Sequence, residues 1–285
     1  DRILFDPTSE LSTSTDTHNI FGISLNIFND IDWHYDIKSK KKYPLDFSYS
    51  IDTRTEEQGI AKVVWEVNRL QFLTGLCIKY KQSGNKKYLN RFKELIESWQ
   101  QSNPYLLGIN WYSNIEINLR IITWFLCWEI LDASDLAKTN KSFKAFTQNT
   151  WLPLIYLHGI YSDSHPSEYS SANNHLIAEA SGLFIAGAYW DFPTSKKWVT
   201  KAKYILETEI QKQHSSKGVN KEEASEYIQF ITDFFLICYI VGDRTNHAFS
   251  HEYSNMLRNI FHYIFLSHFF FLFPKDDPNH NNKKE

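Results

Sequence analysis

The pattern of apolar side chains changes near residue 56. Residues 1–55 show no sustained period, whereas apolar residues beyond this point recur every three or four positions, as at Val63, Val67 and Leu70. This spacing places the apolar side chains on one face of an α-helix. The chain is therefore predicted to form a helical body that begins near Glu56.

Similar apolar runs continue towards the C-terminus, and short polar or proline-containing breaks separate them. None of the runs alternates apolar and polar residues over the length of a half-buried strand. Helices joined by short loops predict an all-α body of antiparallel helix hairpins. The periodicity leaves a bundle, a solenoid or a ring open. The runs cover residues 88–99, 111–131, 143–156, 171–188, 196–211, 222–241 and 247–267.

This pattern divides the chain into three parts. Residues 1–55 are predicted to be an irregular segment packed across the body, residues 56–268 the helical body, and residues 269–285 a polar tail. The basic run from Lys38 to Lys42 is typical of a solvated loop. Its less favoured role is contact with an acidic glycan.

Composition narrows the classes of partner. Aromatic residues make up 16% of the 285 residues, which supports a sizeable core and leaves some rings free to line a groove, where flat faces can stack on sugars. The formal net charge is −3. Because no global basic field favours nucleic acid, we predict no nucleic-acid partner.

The cysteines and the most apolar run each exclude a class of structure. The three cysteines lack Cys-x-x-Cys spacing, which argues against a disulfide framework or a metal site. We expect neither a metal nor another cofactor. Residues 260–273 are too few for a membrane span and contain His262 and His268, so we expect no transmembrane segment. The oligomeric state stays open.

The first candidate for chemistry is the start of the run at residue 171. Ser171 is a possible N-cap, because its oxygen can accept from early helix N–H groups. Asn173, Asn174 and His175 then fall in the first turn, near the positive end of the helix, where a carboxylate is favoured. The simpler interpretation is a capping cluster, and local spacing alone favours it.

Two further clusters combine acidic and basic residues within a helix. Glu66 and Arg69 lie one turn apart, and Glu116 and Arg120 have i,i+4 spacing. Ion pairs that stabilise the helix are the simpler interpretation for both. Either arginine is also a candidate ligand for an anionic substrate. In a third cluster, Tyr227 lies about two turns into a helix, where a tyrosine is usually a core or rim residue.

Taken together, these clusters resemble the N-terminal toroid of the heparinase II/III family of polysaccharide lyases. They occur in the family's order, and the resemblance covers roughly residues 33–258. The matching features are Lys62, Trp65-Glu66, Arg69, Asn103-Pro104, Gly108-Ile109-Asn110-Trp111, Glu116, Arg120, Asn173-Asn174-His175-Leu176, Glu179, Gly218-Val219-Asn220-Lys221-Glu222, Ala224, Tyr227 and Phe230.

This resemblance implies an incomplete (α/α) toroid whose groove binds an acidic polysaccharide and cleaves uronate-containing chains by β-elimination. It implies that Asn174 binds the uronate carboxylate, that His175 assists or orients Asn174, and that Tyr227 transfers a proton at the glycosidic oxygen. Neutralising the carboxylate lowers the barrier to removing the C5 proton. The candidate substrate-binding residues are Asn173, Arg120, Arg69, Trp111 and Glu116.

The resemblance also sets expectations for the rest of the protein. The family places a β-sandwich after the toroid, which supplies a further histidine and closes the groove; no strands follow the last predicted helix before residue 285. We therefore expect this chain to be a weak or inactive lyase. The alternatives are a non-catalytic acidic-glycan-binding module and, less favoured, a glycoside hydrolase. Family members are commonly exported, which implies a periplasmic or secreted protein.

Overall fold

The computed structural model describes residues 16–167, 174–221 and 225–272, and within these ranges it omits the side chains of residues 225–227 and 267–272. Helices dominate the described residues, which confirms the predicted all-α class. They are α1 (Ala61–Asn68), α2 (Phe72–Ser83), α3 (Lys86–Ser102), α4 (Asn114–Leu131), α5 (Ala133–Thr139), α6 (Lys141–Phe146), α7 (Leu152–Ser164), α8 (Asn174–Tyr189), α9 (Ser195–Lys212), α10 (Ser225–Arg244) and α11 (His251–Leu272).

The described part of the N-terminal segment contains two short antiparallel hairpins. Strands β1 (Thr17–Ile20) and β2 (Ile23–Asn26) flank Phe21 and Gly22, which both have positive φ, as a tight two-residue hairpin turn requires. Strands β3 (Tyr35–Asp36) and β4 (Lys41–Lys42) form the second hairpin. Two-residue strands carry too few alternating positions to give a sequence signal.

Helix α8 lies at the centre of the body and is buried around most of its circumference, as expected for a helix that is apolar on all sides. It packs against α4, α9 and α10. At Gly182 the backbone comes so close to Asn118 that an added Cβ would lie 2.4 Å from the amide oxygen of Asn118. Glycine at this position therefore permits the close packing of α8 on α4.

The largest aromatic side chains fill the core. The indole rings at Trp99, Trp124 and Trp151 are fully buried, and they pack edge-on or tilted against neighbouring rings, the arrangement that aromatic pairs prefer. The high aromatic content suggested that some rings line a groove. Most of the tryptophans are instead used for packing in the core. The most exposed rings belong to tyrosine and phenylalanine.

Several helix boundaries differ from the predicted ones. The run at 143–156 becomes α6, a π-helical segment (Thr147–Trp151) and α7, which continues to Ser164, beyond the predicted end of the run. The last helix ends at Leu272, beyond the end of the run predicted at 267. Within the described residues, no helix is both long and apolar enough to cross a membrane.

Candidate functional site

The first turn of α8 contains the predicted Asn-His pair. Asn174 is buried, and within the described residues its carbonyl oxygen Oδ1 accepts no hydrogen bond. His175 is exposed. A buried amide oxygen without a donor is unfavourable unless water or a ligand supplies one. Ser171, the predicted cap, and Asn173 lie outside the described residues.

Glu179 lies one turn further along α8 and connects this turn to the loop after α7. Its carboxylate accepts two hydrogen bonds from Ser167, one from the backbone N–H at 2.8 Å and one from the side-chain hydroxyl at 2.6 Å. Burial raises the pKa of Glu179, although Ser167, the charge of His175 and the Asn114 amide partly oppose this shift. Glu179 and His175 are four residues apart on α8 and therefore lie on the same face of the helix.

The helix that contains Tyr227 begins at the same end of the body as α8. A short connection joins α8 to α9, which runs antiparallel to α8. Helix α10 in turn runs antiparallel to α9, because Lys203 in the middle of α9 contacts the Ala248 carbonyl after α10, whereas His214 after α9 packs on Phe235 within α10. Helices α8 and α10 are therefore parallel and both start at this end. The backbone of Tyr227 lies in the first turn of α10, and its side chain is outside the described residues.

Arg69 is bound by two carboxylates. Its Nε and Nη2 donate to the two oxygens of Glu116 at 2.8 and 2.9 Å, and its Nη1 donates to Glu66 at 2.6 Å. Burial lowers the pKa of Arg69, but the hydrogen bonds and charge of Glu116 outweigh this effect and raise it. The predicted pair of Glu66 with Arg69 is confirmed, whereas Glu116 binds Arg69 and not Arg120.

Arg120 is fully buried. Its Nε donates to Nε2 of His158 at 3.0 Å and its Nη2 donates to the carbonyl of Asn110 at 2.7 Å, while its guanidinium lies 4.8 Å from the Trp99 ring centre. Burial lowers its pKa to about 9, so Arg120 stays protonated at neutral pH. Burial and the charge of Arg120 hold the pKa of His158 well below its usual range.

Trp111 is also fully buried, and its indole N–H donates to the carbonyl of Asn103 at 3.1 Å. Direct contact of a polysaccharide with Trp111 or Arg120 would require these side chains to leave the core. Their burial weighs against direct contact with substrate, which stays a prediction for both residues.

The asparagines of the sequence clusters complete this buried polar network. Asn68 donates to the carbonyl of Trp33 at 2.9 Å and accepts from the Trp99 indole at 2.8 Å. Asn110 also donates to the Trp33 carbonyl at 2.9 Å and to Asn103 at 2.8 Å. These bonds fix the N-terminal segment to the helical body.

One group of exposed rings near the site has no counterpart in the sequence prediction. We call Phe47, Tyr49, Tyr112 and Trp65 the aromatic ledge. Its rings lie in series with centroids 5.9, 6.1 and 6.2 Å apart. Two members come from the segment before residue 56, where no periodicity marks them. Only the high aromatic content of the chain pointed to exposed rings.

Comparison with known proteins supports the resemblance. The sequence profile of the heparinase II/III N-terminus matches residues 11–277. A heparin-sulfate lyase of Pedobacter heparinus is 25% identical over 209 residues, which cover 70% of this chain and 30% of that protein. A heparin-sulfate lyase of Bacteroides thetaiotaomicron is 26% identical over 176 residues, which cover 60% of this chain and 24% of that protein.

Solved structures share the fold. The heparan sulfate lyase HepC of Pedobacter heparinus superposes with a TM-score of 0.61 at 20% identity, covering 85% of this chain and 40% of that one. A heparinase III structure with methylated lysines superposes with a TM-score of 0.63 at 17% identity. The match covers 90% of this chain and 39% of that one. These likenesses confirm the toroid fold.

The chain spans less than a third of the length of the two heparin-sulfate lyases. The family profile, by contrast, matches most of the chain. The chain belongs to the heparinase II/III family.

Proposed function

We propose that the chain is the toroid of a polysaccharide lyase that cleaves a uronate-containing acidic polysaccharide by β-elimination. We place the reaction at the end of the body where α8 and α10 begin. The observation that carries this proposal is Asn174 in the first turn of α8, a buried amide whose oxygen accepts no hydrogen bond from the described residues. Similarity to two heparin-sulfate lyases supports the class of reaction.

The difficult step is removal of the weakly acidic proton at C5 of the uronate. As this proton leaves, negative charge moves onto the adjacent carboxylate, and a donor aimed at that group stabilises the transition state. Asn174 supplies the donor through its amide N–H, while its Oδ1 accepts from a sugar hydroxyl. The positive end of α8 favours the same charge.

Two further groups complete the proposed reaction. Tyr227 donates a proton to the glycosidic oxygen that leaves C4, in keeping with its place in the family pattern. His175 is exposed one turn before Glu179 on α8, and we assign it the orientation of Asn174 or of the substrate carboxylate. The C5 proton passes to the Tyr227 phenolate, and the resulting phenol returns it to the glycosidic oxygen; this requires a lowered pKa, because a free phenol titrates at pH ~10.

The glutamates offer less support for a hydrolase. Hydrolysis requires two carboxyl groups on either side of one glycosidic bond. Glu66 and Glu116 both bind Arg69, and Glu179 is bound to Ser167.

By family membership we also propose export to the periplasm or the medium. We propose residues 56–268 as the extent of the toroid.

Incubation with heparan sulfate, alginate and a bacterial uronate-containing exopolysaccharide tests the reaction class. A lyase produces an unsaturated uronate that absorbs in the ultraviolet, together with new reducing ends. Reducing ends without this absorbance would replace the proposal with a hydrolase. Binding without either product would replace it with a glycan-binding module.

The role of Tyr227 is tested by Tyr227→Phe, which deletes only the hydroxyl. We expect turnover to fall by about 10²–10⁴-fold, the usual contribution of a proton donor or acceptor, with an unchanged melting temperature. Tyr204→Phe is the matched control, because this tyrosine on α9 is 73% exposed. Equal turnover of Tyr227→Phe and the control would remove Tyr227 from the mechanism.

A further inference from the structure

The aromatic ledge exposes the faces of two rings, whereas Tyr112 and Trp65 pack partly against a small buried cluster. Phe47 is 50% exposed and Tyr49 is 49% exposed, while Tyr112 and Trp65 are half-buried. Single exposed apolar residues need no explanation, but a contiguous row of rings marks a binding surface. The row continues from an exposed phenylalanine to a partly covered tryptophan.

Hydrogen bonds from the core hold this row in place. The hydroxyl of buried Tyr161 donates to the carbonyl of Trp111 at 2.5 Å, so it accepts from the hydroxyl of Tyr49, 3.0 Å away. At the other end, the indole N–H of Trp65 donates to the carbonyl of Ile109 at 3.0 Å. Rings fixed in advance lose little freedom when a ligand binds.

A continuous set of contacts joins the ledge to the first turn of α8. The Tyr49 ring stacks on His165 at 5.7 Å, and the carbonyl of His165 accepts from Asn114 at 2.8 Å. The Asn114 amide and the charge of His175 both act on Glu179. The ledge therefore lies on the same end of the body as Asn174.

The chemistry of the ledge favours the face of a sugar ring over a charged group. Its members are uncharged, and the arginine next to Trp65, Arg69, is already bound by Glu66 and Glu116. That cluster contains two carboxylates and one guanidinium, so it offers no free positive charge to a sulfate. The C–H faces of pyranose rings are apolar and match flat aromatic side chains.

We propose that the aromatic ledge is a carbohydrate subsite that stacks sugar rings of the polysaccharide next to the uronate cleaved at Asn174. This proposal rests on the proposed function for its neighbouring site, but the ledge makes its own contribution to binding. It holds the chain by ring contacts, whereas Asn174 and Tyr227 act on the reacting sugar. Its loss therefore affects KM and leaves kcat largely unchanged.

Tyr49→Ala, Phe47→Ala and Tyr49→Phe test the ledge, with Tyr204→Ala as a matched control at an exposed tyrosine. Binding of heparan sulfate and of alginate is measured by calorimetry, and turnover by ultraviolet absorbance. We expect each ledge alanine variant to weaken binding by about 3- to 10-fold, as for the loss of one aromatic contact. Tyr49→Phe keeps the ring and should bind within about 2-fold of wild type.

The salt dependence of binding distinguishes ring stacking from electrostatic attraction. The ratio of wild-type to Tyr49→Ala affinity should be the same at low and high salt, because salt screens charges and not ring contacts. Ledge variants that bind like Tyr204→Ala would overturn the subsite, even if turnover supports the lyase. Weaker binding in the ledge variants without any turnover would support the subsite and reject the lyase.

Discussion

Two polar regions of this toroid match the family pattern, yet they differ in exposure. In the buried network around Arg120 the guanidinium meets only protein groups, although the Asn110 amide oxygen accepts no hydrogen bond from the described residues. The end of the body at α8 instead presents exposed His175 and leaves the Asn174 oxygen without a donor from the described residues. A paired polar group stabilises the fold, whereas a buried one without a protein donor, next to an exposed side chain, is a candidate for contact with water or a ligand.

This difference shows why a shared motif does not by itself assign a role. Arg120 and Asn174 are equally prominent in the sequence pattern and both are buried, so only their hydrogen bonding and their surroundings separate them. Substitutions in the two regions should therefore have opposite signatures. Those in the network should change the free energy of unfolding, and those at the α8 end should change turnover.

Arg120→Met should produce the largest loss of stability. It leaves the Asn110 carbonyl and Nε2 of His158 buried without their donor, and each such group costs about 1–3 kcal/mol. We expect a loss of about 2–5 kcal/mol in the free energy of unfolding measured with urea. A variant as stable as wild type but poor in substrate binding would place Arg120 in the groove.

Arg69→Met tests a partly buried cluster, which is intermediate in exposure between the Arg120 network and the protein surface. The side chain of Glu116 is only 4% exposed, so its charge would be left nearly buried without its bidentate partner. We expect the variant to lose about 2–3 kcal/mol of stability in a urea titration. If the stability is unchanged and KM rises instead, Arg69 contacts the substrate, as the family pattern suggests.

His158→Gln should change the pH dependence of stability. Because the pKa of His158 is lowered in the folded protein, the unfolded chain binds the extra proton first. Stability is therefore lost as pH falls below about 6.5, by up to about 1.4 kcal/mol per pH unit. Urea unfolding at pH 7, 6 and 5 should give a shallower slope for the glutamine variant. Identical slopes would contradict a neutral buried His158.

Arg244→Met should have the smallest effect. Its side chain is 64% exposed and pairs with Glu129 at 2.8 Å, and such surface pairs contribute about 0–1 kcal/mol. The variant therefore serves as the control for Arg120→Met and Arg69→Met. A loss as large as theirs would show that removal of any arginine, exposed or buried, destabilises this protein equally.

The helices and the local ion pair were predictable from the sequence because both depend on spacing along one helix. The period near Val63 gave the helical body, and i,i+3 spacing gave the pair of Glu66 and Arg69. The bond between Glu116 and Arg69 crosses 47 positions, and no local rule selects it. Spacing therefore favoured Arg120 as the partner of Glu116, which is wrong.

The candidate site was only partly predictable for a similar reason. The Asn-His pair was located by its place before an apolar run, but its exposure depends on how α8 packs against α4. Tyr49 reaches the site from the segment without periodicity, and His158 becomes the partner of Arg120 only through the packing of α7. Both roles arise from tertiary contacts.

The central claim is that the α8 end is a lyase site, and Asn174→Ala tests it most directly. We expect kcat to fall by about 10²–10³-fold, as for loss of one donor to a developing anion. Stability should stay within about 1 kcal/mol of wild type, because the substitution also removes a buried oxygen that accepts no hydrogen bond from the described residues. Turnover of Asn174→Ala equal to wild type, with the fold intact, would contradict the account.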